Sequence, residues 1–198
     1  MLTVKIGSND QDAVTAPPPS SLYSTKLNEV KLTFAPRRYV VYSRFNDVDY
    51  VHIREYDEMT NQKGSVSNEY PSKRGVCLST IRLTVLRSKF DEIDDQLNLQ
   101  RQNMVPDYKT HLGAGIYASV GEYKGVDLRN YFIPEDKMSP IPTKRGIFIP
   151  TSQWTRLKEK LLQLLSAYPH LADAVECFHQ NQMDQNNCRE CLPFGLAI

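Results

Sequence analysis

The chain contains an internal repeat, and this feature restricts its possible folds more than any other. Four side chains recur at an offset of 75 residues, which pairs Tyr42, Val51, Arg54 and Tyr56 with Tyr117, Val126, Arg129 and Tyr131. At an offset of 71 residues, PSKRG at 71–75 recurs as PTKRG at 142–146. A change of loop length between Tyr56 and Pro71 would explain the two offsets. The sequence therefore predicts two copies of one structural unit.

Each copy predicts strands followed by one helix. Residues 39–45 are rich in β-branched and aromatic residues, and residues 51–56 alternate with period two, so they predict a hairpin. Toward the end of each copy, apolar residues recur at steps of three and four, which is the pattern of one helical face. These positions are Leu83, Leu86, Phe90, Ile93 and Leu97 in the first copy, and Trp154, Leu157, Leu161, Leu164 and Tyr168 in the second.

Neither copy is long enough to bury a large core alone, so we expect the two to pack together. The predicted fold is α+β, with two repeats of a four-stranded antiparallel sheet and a helix packed as an intramolecular pseudo-dimer. We expect a flexible lead-in over 1–36 and the first repeat with its connector over 37–103. The second repeat should cover 104–168, and a short helix with a cysteine-containing tail should cover 169–198.

Composition and motifs exclude several classes of function. Lys and Arg number 24 against 23 Asp and Glu, so the net charge of +1 does not indicate a strongly basic nucleic-acid binder. No apolar run is long enough to span a membrane, and MLTVKIGSNDQDA at the start predicts no secretory signal. Neither a phosphate-binding glycine loop nor a nucleophile elbow is present. We expect no enzymatic activity and no cofactor.

The cysteines favour a reducing compartment. For the tail, the sequence leaves two alternatives, a zinc site and a plain helix. Cys177, His179, Cys188 and Cys191 supply ligand types that suit tetrahedral zinc. The C-x-x-C spacing is ordinary for zinc, whereas the C-x-H spacing is unusual. Apolar neighbours instead suggest that Cys177 lies near the buried face of a short helix. We expect the tail to bind no metal.

Short motifs in both copies resemble the transcriptional coactivator family called positive cofactor 4. The first copy has Ile53-Arg54-Glu55-Tyr56, a loop, then Lys73-Arg74-Gly75-Val76 and a helix. The second copy has Lys144-Arg145-Gly146-Ile147, and Trp154 follows Gly146 at the spacing of that family. The resemblance covers roughly residues 37–168.

The resemblance implies a four-stranded sheet followed by a helix in each copy. Family members homodimerise and bind single-stranded or melted DNA across curved sheets, and eukaryotic members assist RNA polymerase II. For this chain it implies a nuclear protein with single-stranded or melted DNA as its partner. RNA and proteins of the transcription machinery are further candidate partners. Since members usually carry one such domain, the tandem arrangement departs from the family.

The family's DNA-contacting positions are only partly kept. Its ridge aromatic falls on Phe45, nine residues before Arg54, whereas the second copy has Val120 there. Its strand arginine is present twice, as Arg54 and Arg129. A second stacking aromatic falls on Phe132, but the first copy has Asp57 in its place. The lysines that flank the ridge aromatic are missing, since their positions hold Asn46, Val48, Gly121 and Tyr123.

Single-strand binding needs cations for phosphates and exposed aromatic rings for bases. The candidate residues are Arg38, Arg44, Phe45, Arg54, Tyr56, Lys73, Arg74, Arg129, Tyr131, Phe132, Lys144 and Arg145, with Lys124 as a further cation. The sequence favours a non-enzymatic, single-stranded nucleic-acid-binding protein of transcription or replication. The alternative is a protein-interaction module that kept the fold and lost much of this surface, which the carboxylates of Asp47, Asp49 and Asp57 favour.

Overall fold

A computed structural model describes residues 29–60, 66–137, 139–175, 188 and 190–191. The first repeat comprises β1 (Val30–Ala35), β2 (Arg38–Phe45), β3 (Val48–Thr60), β4 (Val66–Ser79), α1 (Thr80–Ser88) and α2 (Phe90–Arg101). The second comprises β5 (Tyr108–Gly113), β6 (Ile116–Val120), β7 (Gly125–Phe132), β8 (Ile141–Pro150) and α3 (Thr151–Ala167). A 3-10 helix follows at Pro169–Ala172. None of the helices in the described ranges is long and apolar enough to cross a membrane.

The predicted α+β architecture of two antiparallel sheets is confirmed. Strands β1 to β4 form sheet 1 in sequence order, and β5 to β8 form sheet 2 in the same way. One boundary differs from the prediction, since β1 lies inside the segment expected to be a flexible lead-in. Its residues Val30 and Leu32 pack against the core, which explains why this stretch is ordered as a strand.

Strand registers define how the two repeats correspond, and they correct the sequence alignment at one strand. Tyr39 lies opposite Arg54 in sheet 1, and Tyr117 lies opposite Arg129 in sheet 2. Tyr39 is therefore the counterpart of Tyr117, and the match of Tyr42 with Tyr117 was wrong. Arg54 follows Tyr39 by 15 residues, whereas Arg129 follows Tyr117 by only 12, so a constant offset could not hold through both strands.

The first repeat ends in two helices where one was predicted. Lys89 separates α1 from α2, with φ −96° and ψ 3°. The break does not disrupt the apolar face, because all five residues predicted to form it are buried. Ser79 caps α1 by accepting a hydrogen bond from the backbone N–H of Arg82. The predicted face of α3 is buried from Trp154 to Leu164, and Tyr168 is half-buried at its end.

The helices pack on the partner repeat's sheet as well as on their own. Helix α1 contacts β4 and also β5, whereas α3 contacts β7, β8 and also β1 and β2. Helix meets helix mainly where the Phe90 ring packs edge-on against Trp154, at a centroid distance of 5.7 Å. There Asp94 accepts hydrogen bonds from the indole N–H of Trp154 and from Lys158. Buried residues of both repeats thus form one continuous core.

Two glycines stand where β4 and β8 pass closest to the neighbouring strand. A Cβ on Gly146 would lie 2.7 Å from the Leu128 carbonyl oxygen, and one on Gly75 would lie 2.7 Å from the Ile53 carbonyl oxygen. We expect Gly146→Ala to lower the free energy of unfolding by about 1–3 kcal/mol, because backbone atoms must move to admit the methyl group. Urea denaturation measures this change.

Gly121 provides a control for that substitution. Its added Cβ would meet a described atom only at 4.0 Å, the carbonyl oxygen of Pro106. We therefore expect Gly121→Ala to change the free energy of unfolding by less than about 1 kcal/mol. Equal destabilisation by both substitutions would show that the close approach at Gly146 does not limit the strand geometry.

Candidate nucleic-acid interface

Each sheet has one face toward the core and one face that the helices leave uncovered. Because side chains alternate along a strand, Val51 and Ile53 enter the core while His52 and Arg54 point to the opposite face. The same alternation in β7 places Asp127 and Arg129 opposite the buried Val126 and Leu128. We call these two uncovered surfaces the outer faces.

The strand arginines of both repeats are held by the same hydrogen-bond pattern. Arg54 donates to the Ser72 carbonyl at 2.6 Å, and Arg129 donates to the Thr143 carbonyl at 2.8 Å. The hydroxyls of Ser72 and Thr143 in turn donate to the carbonyls of Glu55 and Asn130, at 2.6 and 2.8 Å. Each pattern spans a register shift in β3 or β7. These arginines therefore fix the local backbone as well as placing a charge on the outer face.

The charge beside the two arginines differs between the repeats. Asp127 accepts two hydrogen bonds from Arg129, at 2.7 and 3.0 Å, which raises the pKa of Arg129 further and neutralises its charge. His52 occupies the corresponding position beside Arg54, and none of the described carboxylates forms an ion pair with Arg54. Burial, followed by the charge of Arg54, lowers the pKa of His52. On the outer face of sheet 2, Asp127 thus balances the charge of Arg129. On the outer face of sheet 1, no described carboxylate does the same for Arg54.

The two Lys-Arg-Gly motifs lie in strands β4 and β8, although the sequence suggested loops. These strands are in contact between the repeats. A cleft of about 400 Å³ opens there, and we call it the junction cleft. It is lined by Arg38, Glu55, Arg74, Arg129, Lys144, Gly146, Ile147 and Phe148. Both motifs therefore contribute a cation to one concave surface.

Besides Arg54 and Arg129, three more of the candidate cations are already engaged with acceptors of the chain. Arg38 donates to the Phe148 carbonyl at 2.9 Å, to Gln153 at 3.0 Å and to Glu55 at 3.2 Å, so it joins the two repeats. Arg74 pairs with Glu55 and Asp57, and the hydrogen bond that it donates to Asp57 is the main cause that raises its pKa. Arg44 lies 3.7 Å from Asp47 and 3.9 Å from Asp49. Lys73, Lys144 and Arg145 are exposed.

Among the described residues, four aromatic rings are exposed enough to stack on a base, and one of them is Tyr70, which is 44% exposed on β4. Phe45 is 50% exposed at the end of β2, and Phe132 is 45% exposed at the end of β7. The fourth ring, Tyr123, is 75% exposed in the β6–β7 turn and was missed in the sequence. The sequence alignment placed the counterpart of Phe45 nine residues before Arg129, at Val120, which is buried. Because the second hairpin is shorter, its tip lies closer to Arg129 than that count assumes.

The tyrosines Tyr56 and Tyr131 are less available than the sequence suggested. Tyr56 is only 7% exposed, and its ring packs edge-on against Tyr39 at 5.0 Å. The ammonium of Lys31 lies 3.7 Å from the centre of the Tyr56 ring. Tyr131 is half-buried beside another tyrosine at 4.8 Å, with a lysine ammonium at 3.9 Å. Other side chains of the protein pack on both rings. Tyr56 could stack on a base only if it left its packed position.

The junction cleft adjoins a cleft on each outer face. The sheet 2 cleft, of about 470 Å³, shares Arg129 and Phe148 with it and extends to Tyr123. The sheet 1 cleft, of about 410 Å³, includes Arg54 and Lys73, whose chain neighbour Arg74 lines the junction cleft. The junction cleft is therefore continuous with the sheet 2 cleft through Arg129 and Phe148, whereas the sheet 1 cleft shares no lining residue with it.

Only two of the four residues that could form a zinc site lie in the part of the chain that the structure describes. Cys177 and His179 lie outside the described residues, whereas Cys188 is half-buried and Cys191 is exposed. Within the described ranges, no three histidine, cysteine or acidic residues are grouped as metal ligands. The expectation of a metal-free tail stays a prediction.

Comparison with known proteins gives a partial match. A Caenorhabditis elegans protein described as "Putative RNA polymerase II transcriptional coactivator" is 33% identical to the chain over 51 residues. The match covers 24% of this chain and 41% of that protein, so the chain spans less than half of its relative. No family model matches the chain, and no solved structure matches it significantly. Over part of its length, the chain is similar to a transcriptional coactivator.

Proposed function

We propose that this chain is a non-enzymatic protein that binds single-stranded nucleic acid, DNA in particular, in transcription or replication. The observation that carries the proposal is the junction cleft, where Arg74 of one repeat meets Arg129 and Lys144 of the other. A single strand needs a cationic groove for its phosphates, and this groove continues onto the outer face of sheet 2, while Arg54 and Lys73 line a separate cleft on sheet 1. The similarity to a coactivator supports a role in transcription and a nuclear location.

The exposed aromatic residues support the same function. Phe45, Tyr123 and Phe132 each present about half or more of their surface to solvent. An exposed ring can stack on any base, which gives affinity without sequence specificity. Phe45 and Tyr123 hold corresponding places at the two hairpin tips, whereas the first repeat has Asp57 in place of Phe132, so a strand would meet an additional ring on sheet 2.

Replacement of these rings provides a test of stacking. We expect each of Phe45→Ala, Tyr123→Ala and Phe132→Ala to weaken binding of a single-stranded oligonucleotide by about 1–3 kcal/mol. The dependence of affinity on salt should change little, because stacking releases no counterions. Fluorescence anisotropy with a labelled oligonucleotide at several salt concentrations measures both quantities.

Leu162→Ala is the matched control for the aromatic substitutions. Leu162 is 51% exposed on α3, which packs against the core side of the sheets, and its removal should leave affinity unchanged. If all three aromatic variants bind as tightly as the wild-type protein, stacking on these rings is refuted.

A protein-interaction module is the second candidate function, and the ion pairs favour it. Arg38, Arg44, Arg74 and Arg129 all pair with carboxylates of the chain, so a phosphate would have to compete with Glu55, Asp57 or Asp127. Such internal pairing lowers the positive potential that attracts a polyanion. If this candidate is correct, proteins of the transcription machinery would be the partners.

A further inference from the structure

A residue of the tail makes a further connection between the repeats. The Glu190 carboxylate accepts hydrogen bonds from Arg82 at 2.6 and 2.8 Å, and from the Ser79 hydroxyl at 3.4 Å. The Glu190 carbonyl accepts a hydrogen bond from the backbone N–H of Ala114 at 2.8 Å. Arg82 and Ser79 belong to the first repeat, whereas Ala114 lies in the β5–β6 turn of the second. Glu190 therefore contacts both repeats at once.

The surroundings of Glu190 are shaped to hold a carboxylate. The side chains of Arg82 and Glu190 are only 20% and 18% exposed, so water screens their attraction weakly. The first turn of α1 contains no acidic residue of its own, and Glu190 supplies a negative charge near this N-terminus. Gly113 has φ +125°, which favours glycine, and because it carries no Cβ it leaves room for a Glu190 carboxylate oxygen that would lie 2.6 Å from one.

The pseudo-symmetry of the chain explains why a tail residue is used. Gln153 holds in α3 the position that Arg82 holds in α1, and Arg38 reaches it from the other repeat at 3.0 Å. The registers place Ile116 at the position in sheet 2 that corresponds to Arg38. Because isoleucine cannot form this polar connection, the second junction needs a polar group from elsewhere. Glu190 provides it.

We propose that Arg82, Ser79 and the backbone N–H of Ala114 form a binding site for an acidic peptide segment, occupied by the chain's own Glu190. The guanidinium recognises the carboxylate with two hydrogen bonds, and the amide recognises the peptide backbone. Occupation joins the start of α1 to the β5–β6 turn. The tail thereby fastens the pseudo-dimer at the junction that Arg38 does not reach.

Hydrogen exchange of the full chain tests this assignment. In Glu190→Gln, whose side chain has nearly the same shape, we expect the Ala114 amide to exchange at least about tenfold faster than in the wild-type protein. Glu159→Gln, an exposed acidic position on α3, is the control and should leave this rate unchanged. An unchanged rate for Ala114 in folded Glu190→Gln would overturn the proposal.

Two further experiments, a peptide-binding measurement and an exchange of the two charges, test the proposal without relying on hydrogen exchange in Glu190→Gln alone. A synthetic peptide of residues 186–193, added under reducing conditions to Glu190→Gln, should bind at least about tenfold more tightly than the same peptide with glutamine at 190. Combining Arg82→Glu with Glu190→Arg should restore part of the slow exchange that either change alone removes. Equal binding of the two peptides, or no restoration in the double variant, would contradict a specific carboxylate site.

Discussion

Trp154→Ala is expected to lower the free energy of unfolding by about 3–5 kcal/mol, the largest effect on stability that we predict. Trp154 is 1% exposed, and its ring packs edge-on against Phe90. Its indole N–H also donates to Asp94 at 2.7 Å. The substitution would leave a cavity between the repeats and remove one partner of a half-buried carboxylate. Urea denaturation followed by circular dichroism measures the loss.

Two further variants separate packing from the hydrogen bond. Trp154→Phe keeps much of the ring volume and loses the N–H donor, so we expect it to be less destabilising than Trp154→Ala. Leu162→Ala, on the exposed side of the same helix, should change stability by no more than about 0.5 kcal/mol. A small effect of Trp154→Ala, equal to that of Leu162→Ala, would show that the two repeats do not depend on this contact.

The combined substitution Lys73→Gln, Lys144→Gln and Arg145→Gln is expected to produce the largest loss of nucleic-acid affinity. These cations are exposed on β4 and β8, and each phosphate contact on a single strand contributes about 0.7 to the slope of log affinity against log salt. Loss of three such contacts should reduce that slope by about 2. The loss of affinity should therefore be greatest at low salt, which oligonucleotide titrations can measure.

A variant with the same change of net charge controls for the long-range electrostatic attraction between the protein and the nucleic acid. Arg87, Arg101 and Arg156 are exposed cations on the helices, away from the outer faces. Their combined replacement by glutamine should lower affinity only slightly, because no phosphate contact is lost there. If both triple variants lose affinity equally, binding depends on net charge and does not use the exposed cations of β4 and β8.

Much of the fold could be predicted because the duplication makes each local sequence pattern occur twice in the chain. The apolar positions from Leu83 to Leu97 and from Trp154 to Leu164 specified buried helical faces, and they are buried. The break at Lys89 could not be predicted, since the apolar spacing continues through it. Strand β1 was also missed, although its residues from Val30 to Phe34 alternate with period two, because the proline-rich stretch before it suggested an extended lead-in.

The candidate site was harder to predict because its properties depend on which side chains pair in the folded chain. The difference between Arg54 and Arg129 lies two residues earlier on the same strand, where Asp127 pairs with Arg129 and His52 stands beside Arg54, but the sequence alone does not show that the two side chains pair. Tyr123 could be recognised as the hairpin tip only from the strand register. Glu190 lies far from Arg82 in sequence, and no local pattern indicates that they meet.

Titration of the wild-type protein with a labelled single-stranded oligonucleotide, from low to physiological salt, tests the proposed function most directly. The account predicts measurable binding at low salt, a linear fall of log affinity with log salt, and weaker binding to a duplex of the same sequence. It also predicts one strand per chain, because one chain supplies both sheets. No measurable affinity for a single strand at low salt would contradict the account and leave the protein-interaction module as the function of this fold.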